Sequence, residues 1–156
     1  MELKKINKKK IEVFKEENYF PEIISRKYSV VRTPLQALGQ DSKSLAIIKK
    51  ENSEENTLSI IHVWIMDLNE YLNLKTRMNA NQIKQTALFI LDDFYYFKIS
   101  EINLLFSRIK KGFYGSFYES LDGAKILGYF DKYDKERMQA VDDDNYYNHL
   151  DKKCLT

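Results

Sequence analysis

The chain has 156 residues, of which 44% are hydrophobic and 13% aromatic, and its formal net charge is +2 at pH 7. This length supports one hydrophobic core and is short for two ordinary domains. The near-balanced charge excludes binding to nucleic acid through total charge alone, so any attraction to phosphate depends on local clusters of cations.

The spacing of apolar residues predicts helices along most of the chain. Two prolines and five glycines interrupt it, and between them apolar residues recur every three or four positions, as in α-helices. The sequence therefore predicts an all-α fold, a compact bundle of about five to six helices, with residues 21–141 as a single helical domain. We interpret residues 1–20 as a basic arm or helix; its lysines include Lys4, Lys5, Lys8, Lys9 and Lys10.

Caps and apolar stripes locate the individual helices. Thr33 and Pro34 predict an N-cap followed by proline in the first turn. A second short helix is expected over about residues 42–50, and the polar run ENSEEN at 51–56 is a linker or a helix start. The predicted inward-facing stripes are Leu58, Ile61, Trp64, Ile65, Leu68 and Leu72, then Ile83, Ala87, Ile90, Leu91 and Phe94, then Ile102, Leu105, Phe106 and Ile109, and last Ala124, Leu127, Phe130 and Tyr133.

Other signals mark the ends of these helices. The run MNANQ at 78–82 supplies caps, and Ser100 is the predicted N-cap of the helix that ends near residue 111. No clear pattern is present at 21–33. Residues 142–156 are predicted to be an acidic tail without regular structure.

The sequence lacks the familiar motifs of enzymes and metal sites. It contains no GxxxxGK[ST] loop, no GxGxxG fingerprint and no HExxH pair for His62 or His149. Cys154 is the only cysteine, which excludes an intramolecular disulfide and fits a reducing compartment. The longest apolar patch, at 60–66, is much shorter than the ~20 residues of a membrane span. We expect a soluble protein that is not an enzyme and needs no cofactor, metal or membrane.

The stretch RIKKGFYGSFYESLDG at 108–123 combines cations, aromatic rings and glycines. Under a structural interpretation it is a tight turn between two helices; the turn residues are Gly112, Gly115, Asp122 and Gly123. Under a functional interpretation cations hold phosphates and tyrosine rings stack on bases; the predicted nucleic-acid-binding residues are Arg108, Lys110, Lys111, Tyr114 and Tyr118. A protein-docking loop is the third interpretation. We rank the structural one first, because such mixed clusters are weakly specific.

Spaced glycines and tyrosines continue this pattern on both sides. A Q-x4-A helix precedes I-K-x-G-x-Y-G-x2-Y and L-D-G, and a helix closing with Y-x3-R follows; the residues are Gln82, Ala87, Gly112, Tyr114, Gly115, Tyr118, Leu121, Asp122, Gly123, Tyr133 and Arg137. Residues 82–138 thereby resemble an uncharacterised domain family of Bacteroidota genomes, prophages and crAss-like phages. Phe130 stands where many relatives have tryptophan. The resemblance implies a phage or mobile-element setting and no assigned activity.

From these features we expect a non-enzymatic helical adaptor that acts in phage DNA replication, as a helicase-loading or nucleic-acid-binding accessory. Its partners would be a replication factor and DNA, in the cytoplasm of a bacterial host. The alternative is a structural or cargo component of the virion. A small hydrolase is the third hypothesis, and its activity would depend on a carboxylate or on His62. The oligomeric state is left open.

Overall fold

The computed structural model describes residues 14–116 and 120–154, and in these ranges it contains seven α-helices after one turn of 3-10 helix at Glu16–Tyr19. The α-helices are α1 (Pro21–Lys27), α2 (Pro34–Leu38), α3 (Leu45–Glu51), α4 (Glu54–Leu72), α5 (Ala80–Asp93), α6 (Ile99–Lys110) and α7 (Gly123–Cys154). Within the same ranges, β-pairing is limited to two isolated bridges, Ser44 with Lys98 and Thr76 with Ser120. The predicted all-α fold is confirmed, with more helices than expected.

Polar caps start several helices where the sequence predicts them. Thr33 Oγ1 accepts a hydrogen bond from the Gln36 N–H at 3.2 Å, next to Pro34 in the first turn of α2. Asn79 and Gln82 form a reciprocal capping box at α5, with both hydrogen bonds at 2.9 Å. Ser53 caps α4, so the run ENSEEN contains a helix start. These hydrogen bonds satisfy backbone donors that a helix N-terminus leaves unpaired.

The prediction that Ser100 is an N-cap is wrong. Helix α6 begins at Ile99, and the Lys98 backbone N–H donates to Glu101 Oε1 at 3.2 Å. Ser100 is fully buried, and its Oγ donates to the Ala37 carbonyl at 2.7 Å. The first turn of α6 packs against α2, so the Ser100 hydroxyl bonds the neighbouring helix instead of its own N-terminus.

Helix α6 lies at the centre of the bundle. Nine of its twelve residues are buried, and it packs against α1, α2, α4 and α7. Aromatic side chains fill the space around it: Phe106 meets Trp64 with 5.4 Å between ring centroids, and Phe97 stacks on Phe130 at 5.6 Å. A helix buried on most sides is apolar almost all round, which makes its polar residues informative.

The predicted inward stripe of α7 is partly wrong. Phe130 and Tyr133 are fully buried as expected, but Ala124 is exposed and Leu127 is half-buried. Ile126 and Tyr129 occupy the inner face instead. The buried side chains of α7 begin at Ile126, two residues after Ala124, although the first turn already contacts α5, where Gly123 approaches Thr86.

The prediction that residues beyond 141 lack regular structure is also wrong, because α7 continues to Cys154 and residues 142–154 are exposed helix. A helix that is already nucleated by packing elongates at little further cost. Hydrogen bonds between side chains one turn apart also stabilise this part of the helix; for example, Gln139 Nε2 donates to Asp143 Oδ1 at 2.8 Å. In the described ranges, no helix is both long and apolar enough to cross a bilayer.

Candidate nucleic-acid interface

The turn after α6 has the geometry that its glycines require. Gly112 and Gly115 have φ values of +74° and +110°, in the region that favours glycine. The Phe113 N–H donates to the Arg108 carbonyl at 2.9 Å, which closes the end of α6. Asp122 Oδ1 accepts from the Lys125 N–H at 2.8 Å and caps α7. The described turn residues therefore shape the connection between the two helices.

Arg108 is held inside this connection. Its guanidinium donates to both carboxylate oxygens of Glu136, at 2.6 and 3.2 Å, and its carbon lies 4.4 Å from the centre of the Phe113 ring. Burial lowers the pKa of Arg108, but the hydrogen bonds and charge interactions with Glu136 and Tyr114 together outweigh it, and the pKa is raised. With 11% of its side chain exposed, Arg108 links α6 to α7 and presents little surface to a phosphate.

Tyr114 also faces the protein. Its ring stacks on Tyr129 with 5.5 Å between centroids, and its hydroxyl is buried beside the Arg108 guanidinium. Burial raises the pKa of this hydroxyl, and the nearby Arg108 guanidinium opposes the rise. Tyr118 lies outside the described residues. Neither Arg108 nor Tyr114 thus presents the free surface that the functional interpretation requires.

Lys110 and Lys111 take a different position. Both line a cleft of about 450 Å³ between α1, α4 and α6. Lys110 pairs with the Asp67 carboxylate and lies 5.1 Å from the centre of the Tyr71 ring. Lys111 is exposed. The structure therefore separates the predicted binding residues, with two at this cleft and two packed inside the turn.

We call this space the α1–α4–α6 cleft. Its charged lining residues are Glu22, Arg32, Asp67, Lys110 and Lys111, and its aromatic lining residues are Tyr28, Trp64, Tyr71 and Phe106. Three cations face two carboxylates, so the cleft carries a small positive excess. The Tyr71 side chain is 62% exposed, whereas Trp64 is buried and its Nε1–H donates to the Tyr19 carbonyl at 2.8 Å. Tyr71 is the ring that a ligand in this cleft can reach.

Asn103 of α6 is the least expected residue of the cleft. It is only 8% exposed and lines the cleft, and no group in the described residues hydrogen-bonds its side-chain amide. Its amide is not among the described side-chain groups that are buried without a partner, so it opens onto the cleft and can pair with water or with a ligand. We did not predict Asn103, although one signal was present: it is the single polar residue in the run INLLF. Arg32 and Tyr71 come from distant segments, and nothing in the sequence brings them together.

The closing Y-x3-R pair of the sequence pattern completes a buried polar network. Glu101 is fully buried, and its Oε2 accepts from the Tyr133 hydroxyl at 3.2 Å and from Arg137 Nε at 2.7 Å. Burial, followed by the Glu101 carboxylate, raises the pKa of Tyr133 well above its ordinary range. The Arg137 guanidinium also lies 5.2 Å from the centre of the Tyr96 ring. These residues anchor α7 to α6.

The fold and this cleft define an all-α protein with a cleft lined by cationic and aromatic side chains. Among the described residues, no three acidic, histidine or cysteine side chains are placed to hold a metal ion. The model of a family of unknown function (DUF6633) matches residues 77–152, which contain α5, α6 and most of α7. No curated protein and no solved structure matches the chain. Asn103, Lys110 and Lys111 fall within the matched range, whereas Arg32 and Tyr71 precede it.

Proposed function

We propose that the protein is a non-enzymatic helical adaptor of a phage or mobile element, and that its α1–α4–α6 cleft holds single-stranded nucleic acid during DNA replication. The observation that carries this proposal is the Asn103 amide, which opens onto the cleft and makes no hydrogen bond with the described residues. An amide offers a carbonyl acceptor and two N–H donors, which match the donors and acceptors on the edges of unpaired bases.

The other lining groups supply the two remaining parts of a single-strand site. Lys111 and Arg32 are exposed cations beside the cleft, suited to backbone phosphates. The exposed Tyr71 ring offers a face on which a base can stack. The cleft volume of about 450 Å³ is within the range of small-ligand sites, so it suits one or two nucleotides better than a duplex.

The phage setting comes from the resemblance of residues 82–138, and the role in replication is our hypothesis for a binding protein in that setting. The absence of familiar catalytic motifs from the sequence is compatible with a binding role. An adaptor would contact DNA at one surface and a replication factor at another, which agrees with both expected partners. The DNA-binding half of the proposal can be tested with the purified protein alone.

The test is fluorescence anisotropy of labelled single-stranded and forked DNA across a salt series. Lys111→Glu is the most informative change, because Lys111 is exposed, whereas reversing Lys110 would also place a second carboxylate beside Asp67. We expect Lys111→Glu to weaken binding for every sequence. We also expect it to reduce the slope of log K against log salt by about 0.7 for each phosphate that the protein no longer neutralises.

The matched control is Lys84→Glu, the same charge change at an exposed lysine of α5 outside the cleft. Binding by the control should equal that of the wild type. Salt-insensitive binding or no binding by the wild type would contradict the proposal. An equal weakening in the two variants would show that charge alone, and not the cleft, attracts the DNA.

A component of the virion is the second candidate function, and the exposed end of α7 favours it. Virion subunits assemble through repeated contacts between copies, and residues 142–154 form a helix that leaves the bundle. Mass spectrometry of purified particles tests this role. Detection in stoichiometric amounts would support it, and detection in infected cells alone would favour replication.

A further inference from the structure

The turn after α6 presents an aromatic ring at the surface. Phe113 is 59% exposed, whereas the next residue, Tyr114, stacks on Tyr129 inside the turn. The functional interpretation of the sequence assigns base stacking to Tyr114, but the structure places Phe113 outside and Tyr114 against the bundle. Single exposed apolar side chains are common on protein surfaces. The surroundings of the Phe113 ring therefore decide what it can bind.

The backbone of Phe113 is held in place by the turn. Its N–H donates to the Arg108 carbonyl at 2.9 Å, and the Gly115 N–H donates to the Gly112 carbonyl at 3.1 Å. The chain is therefore hydrogen-bonded on both sides of the ring. A side chain presented from a closed turn loses little backbone freedom when it meets a ligand, which lowers the entropic cost of binding.

One face of the Phe113 ring is covered by a cation. The carbon of the Arg108 guanidinium lies 4.4 Å from the ring centre, and the same guanidinium is bound to Glu136. More than half of Phe113 stays exposed in spite of this contact, so the opposite face of the ring is accessible. A flat accessible ring beside cations is the kind of surface on which the bases of single strands stack.

Arg108 connects this ring to the α1–α4–α6 cleft. Arg108 Nη2 donates to the Arg32 carbonyl at 3.4 Å, and Arg32 lines the cleft. Lys111 also lines the cleft and is two residues from Phe113 in the same turn. Because the Arg32 and Lys111 side chains are exposed, a nucleic-acid backbone that follows them out of the cleft passes the Phe113 ring.

We propose that Phe113 is a base-stacking residue that extends the single-strand site beyond the cleft. This inference rests on the proposed function of the cleft. Tyr71 and Phe113 each stack on one base, and Arg32 and Lys111 hold the phosphates. Every base has a π-face, so the Phe113 ring adds affinity without adding a preference for sequence.

Competition by unlabelled oligothymidylates of two to eight nucleotides against a labelled single strand tests the proposal. Phe113→Leu keeps the apolar character and removes the flat ring. We expect it to bind the dinucleotide, which fits within the cleft, as the wild type does. For the longer strands its affinity should fall by a factor of about 5 to 150, the contribution of one stacked base. Phe113→Trp keeps a stacking face and should match the wild type.

Phe89→Leu is the matched control, because Phe89 is an exposed ring of α5 that does not line the cleft. This variant should bind strands of every length as the wild type does. The salt dependence separates stacking from charge. Phe113→Leu should leave the slope of log K against log salt unchanged, because stacking releases no counterions, whereas Lys111→Glu reduces that slope.

The outcomes distinguish this inference from the function on which it rests. If the wild type binds single strands and Phe113→Leu binds every length equally well, the proposed function stands and the stacking role is excluded; a ring that contacts a protein partner would give this result. An equal loss for the dinucleotide and the longer strands, or the same loss in Phe89→Leu, would also overturn the inference. No binding by the wild type would overturn the proposed function and the inference together.

Discussion

The glycine, tyrosine and arginine pattern of residues 82–138 has a physical explanation at the level of single residues. Tyr133 and Arg137 both bond the fully buried Glu101 carboxylate, and Asp122 caps α7. Gly112 and Gly115 adopt positive φ values. A pattern of this kind describes the connection between α6 and α7. Asn103, the central residue of the proposed ligand site, is not part of it.

Removing Arg137 should destabilise the fold strongly. Arg137→Met leaves the Glu101 carboxylate buried without its cation, and breaking a buried pair costs about 3–5 kcal/mol. The double variant Glu101→Gln with Arg137→Met removes both charges, so its destabilisation should be smaller than the sum of those of the two single variants. Urea unfolding measures these free energies. Additive effects would show that the two side chains do not act as a pair.

Buried tyrosines should make the fold sensitive to alkali. Burial is the largest cause that raises the pKa of Tyr96, Tyr114, Tyr129 and Tyr133. In the unfolded chain these hydroxyls lose protons near their ordinary pKa of about 10, whereas the folded state keeps them protonated. The free energy of unfolding is thus unaffected by these groups below pH ~10 and falls as pH rises above it.

The measurement is the tyrosinate absorbance during an alkaline titration, followed together with circular dichroism. We expect part of the tyrosine signal to appear only as the helical signal disappears. Complete ionisation of all eleven tyrosines in a protein that stays helical would contradict this account.

At the level of single helices, the sequence predicts the features that depend on residues close together in the chain. The Thr33 and Asn79 caps and the stripes of α5 and α6 were predictable, because a cap depends on residues three positions apart and a stripe on helical periodicity. Ser100 was misassigned because its partner is the Ala37 carbonyl of another helix. The end of α7 was missed because a helix nucleated by packing continues through a sequence with little pattern of its own.

The contact between α5 and α7 depends on the lack of a side chain at Gly123. A Cβ atom on Gly123 would lie 2.5 Å from Thr86 Oγ1. Gly123→Ala should therefore force α7 away from α5 and cost about 1–3 kcal/mol, as overpacking does. Adding Thr86→Ala removes the clashing oxygen and should recover part of that stability relative to Thr86→Ala alone. Chemical denaturation of the four proteins is the test, and an undiminished stability of Gly123→Ala would refute the close contact.

At the level of the whole molecule, the cleft is a product of tertiary structure. Arg32 follows α1, Tyr71 belongs to α4, and Asn103 and Lys111 belong to α6 and its end. No periodicity in the sequence predicts that these segments meet. The sequence therefore indicated Lys110 and Lys111 and missed Arg32, Tyr71 and Asn103, which lie with them in the cleft. Long-range packing also explains why Arg108, a predicted phosphate ligand, is bound to Glu136 of α7.

In the proposed complex, the Asn103 amide receives a nucleic-acid ligand. The most direct measurement is the two-dimensional amide spectrum of ¹⁵N-labelled protein titrated with a short single-stranded oligonucleotide, with the Asn103 side-chain signals identified by their disappearance in Asn103→Leu. We expect these two signals to shift with the same saturation as the Lys111 backbone signal. If the oligonucleotide shifts other signals and leaves the Asn103 amide unchanged, or shifts nothing, the cleft is not its binding site.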